Sequence, residues 1–231
     1  MTALPPIARS RVFDGLTDEE RRIWLDASIT REWKRGQAVA RQGEPAHAFY
    51  LVESGLLKLL QLTPDGREVI VRFVGPGEPF GGVVALDTAT YPITALAVEP
   101  SRLRAWPRET LAPLLQKYPQ VRVNIMREMA THMTDALTRV QELTTARVGQ
   151  RLAHTLLRLM RQCGRPAPGG TLISHALTRQ ELADLTGTTL YTVSRTLSKW
   201  EEEGILETAN RRLLIRDPAR LQLLSETVEE A

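Results

Sequence analysis

The chain has 231 residues, of which 42% are hydrophobic and 25% charged, with a formal net charge of +3, which gives room for two modest domains and excludes a disordered chain. No run of about 18 apolar residues occurs, and the opening "MTALPPIARSRVFDG" lacks the unbroken apolar core of a secretory signal; a cytoplasmic protein with no membrane partner is expected. The single cysteine, Cys163, excludes an intrachain disulfide and an iron–sulfur cluster built from four thiolates of one chain.

The first predicted element is a helix in "LTDEERRIWLDAS", where Thr17 and Glu20 have the spacing of a reciprocal cap. From about Trp33 to Trp106 the sequence is written in short β-branched and Leu-rich runs separated by glycine, the pattern of a sandwich or barrel. Within it, "TPDGRE" is a hairpin turn: Pro64 presets φ, Asp65 offers a local side-chain bond and Gly66 a permissive backbone.

After Tyr118-Pro119 the period changes. Met126, Met129, Met133, Ala136, Val140 and Leu143 recur at alternating intervals of three and four, the a/d pattern of a coiled coil. So narrow a seam on a long helix favours a symmetric homodimer over packing on the chain's own sandwich. "CGRPAPGGTLISHA" reads as a Pro/Gly-rich break, "TRQELADLTG" as a helix, and "GILETANRRLLIRDP" as two short strands around a turn at Ala209, Asn210 and Arg211. The closing charges are uneven: Arg147 to Gln222 holds twelve Lys and Arg against seven Asp and Glu. That excess is compatible with a nucleic-acid partner without requiring one.

Between those segments lies "TGTTLYTVSRTLSKWEEEG". Leu190, Val193, Leu197 and Trp200 fall on one helical face, while Tyr191, Ser194, Arg195, Ser198 and Lys199 fall on the other. Arg179 to Trp200 aligns as helix, turn and helix. Ala183 allows close helix crossing, Gly187 supplies the positive φ of a tight turn, Val193 fills the wedge, and Thr188 or Thr189 caps the second helix. In such a unit the second helix, 189–201, enters the major groove of double-stranded DNA. Tyr191, Ser194 and Arg195 are the candidate base readers, since the planar fork of Arg195 matches the two acceptors of guanine. Thr178, Gln180, Thr189, Lys199 and Arg211 are candidates for phosphate contacts, which orient without specifying.

Over nearly its whole length the chain resembles the CRP/FNR family of bacterial transcription regulators. "LTRQELADLTGTTLYTVSRTLSKWEEEGIL" is similar to that family's helix-turn-helix signature, and Gly36, Gly43, Gly55, Gly66, Gly77 and Gly81 stand where its jelly-roll domain turns. The resemblance implies an α+β fold: an N-terminal jelly-roll sensor domain (1–118), a dimerisation helix (119–147) and a C-terminal winged helix-turn-helix domain (148–231). It also implies a homodimeric regulator, usually an activator, that binds a two-fold symmetric promoter site and contacts RNA polymerase.

Departures from the family pattern bear on the effector. In the branch that binds cyclic AMP, a glutamate follows "FG" and an Arg-Ser pair comes about ten residues later. Here "PFGGVVALDTATYPITA" has Gly82 at the first position and Pro92-Ile93 at the second, so a phosphate buried there would lack its guanidinium. Ala136 and Leu137 stand where that branch places hydroxyls. Gly81, Gly82, Val83, Pro92, Ile93, Ala136 and Leu137 are thus candidates for lining an effector pocket that does not take cyclic AMP in the usual way. An unidentified small apolar or anionic effector, or none, is expected instead. Haem would need an axial ligand, but His47, His132, His154 and His175 show no spacing motif, and no cofactor is expected. Tyr191 replaces the glutamate found in most members, so the half-site should depart from the family's commonest one beside the pair read by Arg195.

An enzyme of the cupin type would need clustered metal ligands, and no two histidines are closer than 21 positions. "GPGEPFGG" lacks the Gly-Lys-Ser/Thr of a phosphate-binding loop. A ligand-sensing module of the cyclic-nucleotide or haem type is the alternative reading, but it leaves the residues after about Leu177 without a role.

Overall fold

The structure is a computed structural model that describes residues 4–86, 90–173, 176–209 and 212–226. The chain divides into two compact units, 1–135 and 136–231.

In the first unit, helix α1 (Asp18–Asp26) begins at the expected cap: Thr17 Oγ1 accepts from the Glu20 amide at 3.3 Å, and Glu20 Oε2 accepts from the Thr17 amide at 2.8 Å. Eight strands follow: β1 (Ile29–Trp33), β2 (Ala38–Ala40), β3 (Ala48–Ser54), β4 (Leu57–Leu62), β5 (Glu68–Val74), β6 (Pro79–Phe80), β7 (Thr94–Ala97) and β8 (Ser101–Pro107). They form two antiparallel four-stranded sheets, ordered β1-β8-β3-β6 and β2-β7-β4-β5. Non-consecutive neighbours in both sheets are the mark of a jelly roll. The β4–β5 turn falls at "TPDGRE", with Gly66 at φ +80° and the Arg67 amide donating to Thr63 Oγ1 at 3.0 Å. Phe13, Trp24, Phe49 and Trp106 meet in the core with ring centroids about 6 Å apart, and Trp106 Nε1 donates to the Trp24 carbonyl at 2.9 Å.

Helix α2 (Arg108–Lys117) leads into α3 (Pro119–Thr145), 27 residues long. The start of α3 belongs to the first core: Val121 and Ile125 are buried, and Asn124 Nδ2 donates to the Val12 and Asp14 carbonyls at 3.0 and 2.8 Å. Further along, Met126, Met133, Val140 and Leu143 of the expected seam stand exposed, Met133 at 66%, as does Ala136. One seam position, Met129, departs from the a/d expectation, and Leu137, expected at the effector pocket, lies elsewhere. Met129 is half-buried against the sandwich core, because it lies on the same side of the helix as Ile125, one turn earlier. Leu137 stands open at 59% and adds to the exposed stripe.

The second unit contains α4 (Val148–Cys163), β9 (Gly164–Ala167), β10 (Gly170–Ile173), α5 (Arg179–Thr186), α6 (Leu190–Glu202), β11 (Leu206–Ala209), β12 (Arg212–Ile215) and α7 (Pro218–Glu226). The four strands make one antiparallel sheet in the order β11-β12-β10-β9. The expectation of a two-stranded wing and a structureless break is therefore corrected: "CGRPAPGGTLISHA" supplies a hairpin that extends the wing. Pro166 is tolerated because β9 is an edge strand, where a missing amide interrupts no ladder. The last turns of α3 are tied to this unit by a buried ion pair, with Arg158 Nη1 2.6 Å from both oxygens of Glu142.

Candidate nucleic-acid interface and effector cavity

The geometry of α5 and α6 follows from local chemistry. Thr178 caps α5 by accepting from the Glu181 amide at 3.0 Å. Gly187 ends it in the left-handed region at φ +61°, and the Thr188 amide returns to the Ala183 carbonyl at 3.0 Å, a C-terminal closure that a β-carbon would strain. Thr189, rather than Thr188, then caps α6, accepting from the Thr192 amide at 3.2 Å. Ala183 and Val193 are fully buried between the helices, and Leu197 and Trp200 continue the same face. Arg151 holds the turn from behind: Nε donates to the Thr186 carbonyl and Nη1 to the Ala146 carbonyl, both at 2.8 Å.

Leu190, expected on the buried face, is 48% exposed. As the first residue of α6 it has no preceding turn beneath it, and helical side chains lean back toward the N-terminus. It therefore shares the open end of the helix with Tyr191, which is 73% exposed. Arg195 is exposed one turn further on and, among the described residues, makes no hydrogen bond or ion pair, with Glu201 and Glu202 included. Ser194 is half-buried between them.

The phosphate candidates divide. Lys199 is exposed, 3.9 Å from Glu203, and Gln180 Nε2 donates to Asp184 Oδ1 at 2.8 Å on an open face. The hydroxyls of Thr178 and Thr189 are engaged in capping, Thr178 Oγ1 also lying 3.1 Å from Glu181 Oε2. What these two threonines offer an anion is the amide-rich start of a helix rather than a free hydroxyl. Arg211 lies outside the described residues.

A feature that residue patterns did not reveal borders α6. The N-terminus of α4, at Arg147, Val148 and Gly149, faces Thr192, Arg195 and Lys199 across an open cleft of about 400 Å³. No acidic residue occupies the first turn of α4, so its amides and these cations share one positive concavity. The only hint in the sequence is a long amphipathic helix that begins in "ARVGQ" without a carboxylate.

In the first unit, Gly81, Gly82, Val83, Pro92 and Ile93 line a cavity of about 200 Å³, while Ala136 and Leu137 do not line it. Leu59, Arg72, Glu128, Met129 and His132 join the wall and were not anticipated, since they come from distant strands and from α3. Gly81 has φ +77°, and a β-carbon there would lie 2.7 Å from the Ala48 carbonyl. A β-carbon on Gly82 would meet Ile125 Cγ2 at 3.1 Å and Met129 Sδ at 3.3 Å. A glutamate at Gly82 would therefore need the Ile125 and Met129 side chains to give by a few tenths of an ångström.

Of the two charged residues at the wall, Arg72 is paired with Glu78, which lies outside the lining. Arg72 Nη2 donates to Glu78 Oε1 at 2.7 Å and its Nε to the Phe73 carbonyl at 3.1 Å. Burial pushes the Glu78 carboxyl above its ordinary range, against the pull of Arg72 and of the Gly75 amide. Burial, with the adjacent Arg72 charge, lowers the His132 pKa to about 4, so this imidazole is neutral near pH 7. Among the described residues no group of three His, Cys, Asp or Glu could hold a metal ion, and no helix is long and apolar enough to cross a membrane.

A jelly roll joined through a long helix to a winged helix-turn-helix defines a β sensor-type domain linked to a DNA-binding unit. The cyclic nucleotide-binding domain profile matches residues 30–118, and the Crp-like helix-turn-helix domain profile matches residues 150–224. The cyclic AMP receptor protein of Thermus thermophilus is 32% identical over 213 residues, 92% of this chain and 95% of that one. The transcriptional activator protein anr of Pseudomonas aeruginosa is 29% identical over 195 residues, 84% of this chain and 80% of that one. Among solved structures, FixK2 from Bradyrhizobium japonicum superposes with a TM-score of 0.73 at 26% identity, covering 85% of this chain and 96% of that one. The chain belongs to the CRP/FNR family, whose members are DNA-binding transcription regulators.

Proposed function

We propose that this protein is a cytoplasmic, non-enzymatic transcription regulator that acts as a homodimer, binds a two-fold symmetric promoter site through the segment 189–201, activates by contacting RNA polymerase, and does not depend on cyclic AMP. The observation that carries the reading is the open polar face of α6. Arg195 stands there exposed and unpaired among the described residues, one turn from an exposed Tyr191. An unpaired guanidinium at this place can bond a guanine's two acceptors without first losing a partner. Tyr191 packs on a thymine methyl or exchanges one hydrogen bond, while Lys199, Gln180, the helix starts at Thr178, Thr189 and Val148, and the Arg211 cation hold phosphates.

Dimerisation through 119–147 is supported by the open stripe of Met126, Met133, Leu137 and Val140, apolar surface that a second copy of the helix would remove from water. It would bring two recognition helices, one from the DNA-binding domain (148–231) of each copy, to successive major grooves. Independence from cyclic AMP is supported by Gly82, Pro92 and Ile93, which supply neither carboxylate nor guanidinium, and by Arg72 being already paired. The test is a gel shift on the DNA upstream of the gene, at two salt concentrations, with and without cyclic AMP. Tight, salt-sensitive binding unchanged by cyclic AMP is expected. Binding that is equally strong on unrelated DNA, or that appears only with the nucleotide, overturns the reading.

A further inference from the structure

The cavity of the first unit has a wall chemistry that selects for charge as well as size. Its long sides are apolar: Phe80 and Ile93 come from the sandwich, Ile125 and Met129 from α3. An apolar cavity of about 150 Å³ holds benzene, so about 200 Å³ holds one ring with a small substituent, ~8–10 non-hydrogen atoms on that scale.

Two of the polar groups at the wall, Arg72 and Tyr91, are spoken for, and two, Glu128 and His132, are not, among the described residues. The Arg72 guanidinium is engaged by Glu78 at 2.7 Å. Tyr91 Oη donates to the Ala48 carbonyl at 2.8 Å and accepts from the Ala48 amide at 3.0 Å, so neither of its capacities is open. An anion entering here would meet the Glu128 carboxylate and would have to break the Arg72–Glu78 pair to find a cation, at a cost its own hydrogen bonds do not offset. A cation would gain Glu128 but would lie beside Arg72 in an apolar lining. His132 makes no hydrogen bond among the described residues, and its neutral ring offers one donor and one acceptor.

We propose that this cavity is a binding site for an uncharged, mainly apolar small molecule of about one ring, fixed by a hydrogen bond to His132 and held between the sandwich and α3. The inference rests on the reading that cyclic AMP is not the effector. Such a ligand would touch α3 on three successive turns, at Ile125, Met129 and His132. The neighbouring face of the same helix carries the exposed Met126 and Met133, so occupancy biases the element that bears the open stripe.

The test uses the full-length protein and four probes of one shape: benzyl alcohol, benzoate, benzylamine and toluene, followed by calorimetric titration or ligand-observed NMR. Benzyl alcohol should bind saturably and at least about tenfold more tightly than benzoate or benzylamine. Ile93→Trp, which fills the cavity, should abolish that binding. His132→Phe should weaken benzyl alcohol several-fold and leave toluene unchanged, a split that a merely structural role would not produce, and it serves alone if circular dichroism shows Ile93→Trp to be misfolded. A charged probe binding as tightly as the alcohol, or an alcohol affinity indifferent to both substitutions, overturns the proposal. Cyclic AMP is titrated in parallel: micromolar binding removes the underlying reading and this inference with it. Absence of binding by both cyclic AMP and benzyl alcohol removes this inference alone.

Discussion

Helices α3 and α6 both carry an apolar stripe at intervals of three and four, yet the chain treats the two stripes oppositely. Val193, Leu197 and Trp200 of α6 are buried within their own unit, whereas Met126, Met133 and Val140 of α3 are half to two-thirds exposed. The periodicity says only that each helix has a partner. Whether that partner belongs to the same chain is decided by what else folds nearby. The polar faces invert the contrast: the open side of α6 is made of hydrogen-bond donors, and the closed side of α3, beside Ile125 and Met129, borders a cavity.

The sharpest way to break this comparison is to place a charge on each stripe. Val193→Asp puts an unpaired carboxylate at a fully buried position and should cost ~3–5 kcal/mol, read as loss of the second unit's transition in urea unfolding followed by circular dichroism. Met133→Glu should leave the unfolding of the monomer nearly unchanged. It should weaken a dimer by several kcal/mol, since the same charge would enter twice. Light scattering at micromolar concentration should then report a monomer, and a mass that stays at twice the chain's would show that the stripe is not the interface.

The polar face of α6 gives a smaller effect. Arg195→Ala should remove ~1–3 kcal/mol of discrimination at one G·C pair without altering the oligomer, measured by competition gel shifts with substituted sites. Lys199→Ala should weaken binding evenly across sequences and lower the slope of log K against log salt by about one.

The smallest effect is the pH dependence of the cavity on α3's other side. His132 has a folded pKa of about 4, below its ordinary 6.5, so the unfolded chain takes up the proton first. Stability is then lost as pH falls from 6.5 toward 4. His132→Leu should flatten that part of the melting-temperature profile; an unchanged profile would assign the acid-side loss to other groups.

Much of the fold was legible because its signals are local. Thr17 with Glu20 is a cap made within four residues, as is Thr189 with Thr192, and the positive φ of Gly187 is demanded by a turn whose neighbours are adjacent in sequence. The recognition face was legible for the same reason: an exposed helix surface is set by the helix period. The β9–β10 hairpin was not, because Pro166 and Gly169 mark both a linker and an edge strand, and only pairing with β12 distinguishes them. Leu190 was misplaced because a period takes no account of where a helix begins.

The sequence by itself determined the capped helices, the β4–β5 turn and which side of α6 carries donors, since these depend on backbone sterics, capping and the 3.6-residue repeat. Only the tertiary structure decided that Met129 turns inward while Met133 stays open, that the start of α4 lies beside Arg195, and that Arg72, Glu128 and His132 surround one cavity. These are contacts between residues far apart along the chain. Their charges and volumes meet only after the sheets close, and no local rule encodes the meeting.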